Sequence, residues 1–228
     1  MKHQAALTDL PSDVATLVRG CKAFSKNESR DALYRIALRL VGDAQENPSE
    51  LADALSVLLL TWNNAAYRYG APDFFRVEQF LVAEKLPLAS YRSRTIDTYS
   101  PATEANEVEE FFTKALRALA ANGKFSAVGA AKALHLLAPA FFPLWDREIA
   151  KGLDCRLQHS SQYAAQYIRF MHLMKVTCQR LEGEHDATRK PTGKSLTDTL
   201  SELAGRQKTM LKFLDEYYYA KFTKHWIV

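Results

Sequence analysis

The chain has 228 residues and a mass of 25.7 kDa, enough for one substantial domain. Hydrophobic residues make up 47% and charged residues 25%, and no apolar run approaches the roughly 20 residues needed to cross a bilayer, so the composition points to a globule with no membrane segment. The net charge of +4 is carried by the last segment, where residues 187–228 hold eight Lys/Arg against four Asp/Glu, a basic tail able to meet phosphates.

The N-terminal stretch MKHQAALTDLPSDVATLV has a lysine but no uninterrupted apolar core followed by small residues, so the expected location is cytoplasmic. Cys21, Cys155 and Cys178 are odd in number and far apart, which excludes a disulfide framework and a zinc knuckle and reads as reduced core thiols.

Glycine and proline are scarce, and between them apolar residues recur at three- and four-residue spacing. The fold class is therefore all-α, in a single domain over residues 1–228. In chain order, helices are predicted over 29–41, 48–69, 73–84, 105–121, 126–137, 160–182 and 194–222. Asn47 before Pro48, Asp73 before an aromatic pair and the NGKFS junction at 122–126 supply start and stop signals. The stretch LPLASYRSRTIDTYSPATEAN reads as a loop, or a short helix within one. EGEHDATRKPTGKS is a second flexible candidate.

Three stretches invite a chemical reading. PTGKS at 191–195 is not a nucleotide loop, because Thr188 stands where the first glycine is needed and no strand precedes it; Ser195 reads instead as a helix cap. The six histidines show no paired spacing on a helix face, so no metal and no cofactor is expected. LLLTWNNAAYRYGAPDFF at 58–75 sets Trp62, Asn63, Asn64 and Tyr67 on neighbouring helical lines, which suits either a pocket that stacks a flat ring and reads its edge, or aromatic core with locally satisfied polar tips.

The richest stretch is SAVGAAKALHLLAPAFFPLWDREIAKGL at 126–153. Lys132 and His135 share a helix face, and the turn from Pro139 to Pro143 can return Asp146 towards it. In apolar surroundings a lysine is pushed towards its neutral, nucleophilic form, and a carboxylate stays ionised only if paired or hydrogen-bonded. Such a pair can serve catalysis at a sugar carbon. It can equally be an ion pair, or a cap at the start of a helix near Arg147.

Over AANGKFSAVGAAKALHLLAPAFFPLWDREI the chain resembles the helix-hairpin-helix superfamily of DNA glycosylases, in particular outlying bacterial, oxoguanine-glycosylase-like members. The resemblance implies two helical lobes flanking a cleft, with the hairpin and catalytic segment at about 106–152. It implies double-stranded DNA carrying a modified base as partner, a monomer, base flipping and hydrolysis of the N-glycosidic bond to leave an abasic site. Asp146 would stabilise cationic character at the sugar, and Lys132 would stand at the Schiff-base lysine of bifunctional members. Trp62, Asn63, Asn64, Tyr67 and His135 would form the base pocket. Gly123, Lys124, Gly129, Arg92 and Arg94 would hold the DNA backbone, with Lys208, Lys212, Lys221 and Lys224 as further phosphate contacts. The outlying character of the match suggests a hypermodified base such as glucosylated cytosine in phage DNA, and hence antiviral defence. The alternatives are a non-catalytic helical DNA-binding module and a helical protein-interaction scaffold.

Overall fold

The computed structural model describes residues 10–63, 67–68, 70–156, 159–188 and 193–227. Among them there are eleven α-helices and no strand, only an isolated bridge between Ala121 and Lys124. The all-α expectation holds for these residues.

The chain opens with α1 (Val14–Asn27), whose first turn is capped by Asp13 accepting from Thr16 N, and α2 (Asp31–Asp43) follows. Asn47 caps α3 (Pro48–Trp62) with proline in its first turn. Asp73 caps α4 (Phe74–Ala83), and α5 (Lys85–Arg92) continues almost directly. Next come α6 (Pro101–Ala118) and α7 (Ala127–Leu137), the latter capped by Ser126. The short α8 (Arg147–Gly152) is capped by Asp146. The long α9 (Tyr163–Thr188) precedes α10 (Leu196–Ala204), capped by Ser195, and α11 (Met210–Tyr218), capped by Thr209. A π-helical turn, Tyr219–Thr223, ends the regular structure.

Three elements differ from the predicted ones. The helix expected over 48–69 stops at Trp62, and Asn63 leaves helical geometry with φ −122° and ψ 35°. The helix expected over 194–222 is two helices, because Gly205 takes a left-handed φ of 66° and Thr209 starts the second. Helix α1 lies in a stretch with no predicted helix, despite its Asp13 cap. Helix α5 is the short helix expected as one alternative for this stretch, and Pro87 falls in its first turn, where its missing N–H breaks no helical bond.

The core is one continuous cluster. α6 presents Val108, Phe111, Phe112 and Ala115, and α9 presents Tyr167, Phe170, Met171 and Met174, each set at three- and four-residue spacing. Phe112 stacks on Tyr167 with centroids 4.2 Å apart. Trp145, 1% exposed, lies nearly parallel to Phe170 at 6.0 Å.

The segment between α7 and α8 is held most thoroughly. Phe141 and Phe142 are fully buried and stack with Tyr91 and Phe111 respectively. Its carbonyls are taken by donors from across the fold. Arg92 Nε reaches Leu137 O at 3.1 Å, Thr209 Oγ1 reaches Pro139 O at 3.0 Å and Ile96 N reaches Ala140 O at 2.9 Å. His135 Nδ1 reaches Phe142 O at 2.7 Å, and the Tyr167 hydroxyl reaches Pro143 O at 2.9 Å. A proline-bearing turn with buried carbonyls needs such partners, because each unsatisfied one costs about 1–3 kcal/mol.

Close approach at Gly152 seats the C-terminal turn: a Cβ there would lie 2.5 Å from the Phe222 ring. Gly42, in α2, has nothing within 4 Å of an added Cβ. Gly152→Ala should therefore destabilise the protein by about 1–3 kcal/mol, whereas Gly42→Ala should stabilise it by roughly 0.5–1 kcal/mol. Urea denaturation measures both, and equal effects at the two positions would contradict this packing.

Candidate functional site

A cavity of about 330 Å³ lies where α1, α2, α7, α11 and the π turn meet. Its aromatic walls are Phe24, Tyr34, Trp62, Trp145 and Tyr219. Lys132 and Asp146 both line it, so the turn after α7 does return the aspartate to the lysine's side.

Asp146 begins α8, and its Oδ1 accepts from Ile149 N at 2.8 Å. Its Oδ2 accepts from Thr223 Oγ1 at 3.0 Å. Burial raises its pKa above the usual aspartate value, with Asp215 adding repulsion, while the Ile149 N–H, the Thr223 hydroxyl and Lys132 work the other way. The N-cap reading of this residue is thus correct, and the cap also faces the cavity.

Lys132 Nζ donates to Trp62 O at 2.8 Å and sits 4.6 Å from the Trp62 ring centre. Desolvation lowers its pKa to about 8, against the opposing pull of Asp146 and Asp215. Near pH 7 the side chain is therefore still mostly protonated, and its neutral form grows as the pH approaches 8.

The remaining wall is ionic. Arg30 binds Glu28 through Nε at 2.9 Å and through Nη2 at 3.0 Å. The Tyr219 hydroxyl accepts from Arg30 Nη2 at 2.6 Å and donates to Glu28 at 2.7 Å. The Arg30 bond, ahead of those from Tyr219, holds the Glu28 carboxyl down at about 2. Lys212 is fully enclosed, 2.7 Å from Asp215 and 3.9 Å from Asp31, with its Nζ 4.5 Å from the Tyr34 ring centre. Burial opposes its charge, but Asp215 and Glu216 outweigh that and keep its pKa above the ordinary lysine value. Four carboxylates (Glu28, Asp31, Asp146, Asp215) face four cations (Arg30, Lys132, Lys212, Lys224) around the cavity.

Several sequence expectations need correction. Asn63 does not line the cavity: its Nδ2 donates to Ser126 Oγ at 3.0 Å, bracing the cap of α7. Tyr67 is buried and donates to Leu119 O at 3.1 Å. Both were assigned to a pocket by helical spacing, and the helix ends before them. Asn64 lies outside the described residues. His135 sits behind the cavity wall rather than in it. Its Nδ1–H donates to Phe142 O, so Nε2 must accept, from the Tyr34 hydroxyl at 2.8 Å.

The phosphate candidates also divide. Gly129 is buried, its N–H donates to Ser126 Oγ at 3.0 Å, and a Cβ there would lie 2.7 Å from the Tyr67 hydroxyl. Arg92 Nε donates to the Leu137 carbonyl while its Nη2 is buried without a partner, and Arg94 is spent on Glu104 at 2.7 Å and on Thr98. Lys208 is buried against Glu216 at 2.6 Å. Gly123 and Lys124 are exposed on the turn between α6 and α7, where Asn122 and Gly123 have φ of 50° and 70°. Lys224 is exposed at the cavity edge.

The residues that sequence reasoning missed are Phe24, Glu28, Arg30, Asp31, Tyr34, Asp215, Tyr219 and Thr223. They come from the two ends of the chain, and nothing in local spacing joins those ends. Among the described residues no group of His, Cys, Asp and Glu is arranged to hold a metal ion, and no helix is long and apolar enough to cross a membrane.

Two measurements test these placements. Burial lowers the His135 pKa to about 4 from an ordinary 6.5. The unfolded chain binds this proton as pH drops below 6.5, while the folded imidazole stays neutral until about pH 4. Stability therefore falls with pH across that window, and between pH 7 and 5 wild type should lose about 2 kcal/mol more than His135→Gln. Chemical denaturation at the two pH values checks this. Asn63→Ala should cost roughly 1 kcal/mol of stability and leave ligand binding in the cavity unchanged, as calorimetry on that variant would show. In comparisons with known proteins, no family model, no curated protein and no solved structure matches this chain.

Proposed function

We propose that the protein is a DNA glycosylase that receives a modified base, flipped out of duplex DNA, in the cavity lined by Trp62, Lys132 and Asp146. The observation that carries this reading is that a desolvated lysine and a desolvated aspartate share one aromatic-walled cavity. That combination suits cleavage of an N-glycosidic bond. A flat ring stacks on Trp62 or Tyr34. As the C1′–N bond breaks, the electron pair leaves with the base and C1′ becomes cationic. The Asp146 carboxylate, poorly solvated before reaction, gains most from a positive charge developing beside it. Water then adds hydroxide to C1′, and its proton neutralises the departed base. Alternatively, neutral Lys132 attacks C1′, displaces the base and gives a Schiff base after the sugar opens.

In this reading the α6–turn–α7 unit is the helix-hairpin-helix grip of a two-lobed monomer. The exposed Gly123–Lys124 turn and Lys224 meet the duplex phosphates. A volume of about 330 Å³ lies at the lower end of the range for small-molecule sites and admits a base with a substituent. Hypermodified cytosine of phage DNA is the substrate to try first, with antiviral defence as the biological role. A second reading, a DNA-binding module without catalysis, draws on the fact that both Asp146 oxygens already hold structural hydrogen bonds.

The test is release of abasic sites from a panel of modified duplexes, including phage DNA with glucosylated hydroxymethylcytosine. Asp146→Asn should lose at least about 100-fold in rate. Borohydride trapping on an abasic duplex should rise with pH around a midpoint near 8, because only neutral Lys132 attacks, and should vanish in Lys132→Ala. Base release that survives in Lys132→Ala would make the enzyme monofunctional. Tight, salt-sensitive binding with no release from any duplex would favour the binding module.

A further inference from the structure

We propose that the C-terminal π turn is a positioning element for the Asp146 carboxylate, acting through the Thr223 hydroxyl. This rests on the reading of Asp146 as the carboxylate that acts on the bound ligand. Its two oxygens are held by different parts of the chain: Oδ1 by the Ile149 N–H of its own helix, and Oδ2 by Thr223, 77 residues away in sequence. One bond from its own helix makes a cap. The second bond removes the remaining rotation and fixes the plane of the carboxylate relative to Lys132 and the cavity.

The turn is built for that contact. Lys224 N bonds Tyr219 O at 3.0 Å and Trp226 N bonds Ala220 O at 2.8 Å, both wider than the α-helical closure. This widening moves Thr223 away from where a continued α-helix would put it. Such π turns recur at functional sites.

Two further contacts hold the turn in place. Phe222 stacks on Tyr218 with centroids 5.9 Å apart and lies so close to Gly152 that no side chain fits there, which docks the turn on the helix that Asp146 begins. Tyr219 joins the Glu28–Arg30 pair on the opposite wall. Thr223 is therefore a positioning residue and not itself a reacting group.

The charged groups facing Asp146 come from four elements. Lys132 belongs to α7, and Lys212 and Asp215 to α11. Glu28, Arg30 and Asp31 lie at the α1–α2 junction, and Tyr219 on the π turn with Lys224 just past it. Thr223→Val changes none of them, so its effect isolates the hydroxyl. The experiment follows the Asp146 carboxyl carbon by NMR, in aspartate-labelled protein, across a pH titration of wild type, Thr223→Val and Thr223→Ser. Loss of a hydrogen bond to the ionised form should raise the Asp146 pKa in the valine variant, and serine should restore it.

In parallel, base release by Thr223→Val should lose about 10- to 100-fold in kcat with KM nearly unchanged, and Thr223→Ser should recover most of it. Identical titrations of Asp146 in wild type and Thr223→Val would overturn the proposal, as would full kcat in the valine variant of an active enzyme. If wild type releases no base from any duplex, the glycosylase reading falls, and the titration alone decides whether Thr223 positions Asp146. Should Thr223→Val not fold, Thr223→Ala is used in its place.

Discussion

The site depends on the anchoring of the turn between α7 and α8. Prolines at 139 and 143 remove two backbone donors, and the segment is too short to form regular structure of its own. Five carbonyls, those of Leu137, Pro139, Ala140, Phe142 and Pro143, are taken by donors from five separate places in the chain. Buried Phe141, Phe142 and Trp145 fill the space between α6 and α9. With both ends so constrained, Asp146 begins α8 at one place and presents its carboxylate to the cavity. Arg92 and His135 matter here as parts of that anchor rather than as ligand contacts.

Electrostatic compensation governs the cavity itself. Eight ionisable side chains with balanced formal charge surround about 330 Å³, an arrangement that is tolerable only because most are paired. Glu28 and Arg30 form a closed unit with Tyr219, and Lys212 is held between Asp215 and the neighbouring acids. Asp146 and Lys132 are the least conventionally compensated. The lysine uses a backbone carbonyl and an aromatic face instead of a direct carboxylate contact. Desolvation then lowers the lysine's proton affinity and raises that of the aspartate.

The basic tail illustrates how charge in sequence misleads about charge in space. Lys208 and Lys212 are spaced as a cationic face would be, but both point inward to Glu216 and Asp215, also of α11. Lys224, past the π turn, combines an exposed position with a place on the cavity edge. Likewise Asn63 and Tyr67, which spacing set on a helical line beside that of Trp62, do not line the cavity with it, because α3 ends at that tryptophan. Asn63 braces the start of α7 and Tyr67 bonds the end of α6 instead.

Sequence alone determined the helical class, most of the helix starts and the pairing of interest, because caps such as Asn47, Asp73, Ser126, Asp146 and Ser195 act over three residues and apolar periodicity acts within one element. It also supplied the two outcomes for Asp146, cap or site, and the structure makes that residue both a cap and a cavity wall. Only tertiary structure decided what completes the cavity. Phe24, Glu28, Arg30 and Tyr34 near one end of the chain meet Asp215, Tyr219 and Thr223 near the other. Their meeting depends on how α1 packs against α11 and the π turn, and on Lys212 reaching Asp31 and Tyr34 of α2, a long-range energy that no local spacing encodes.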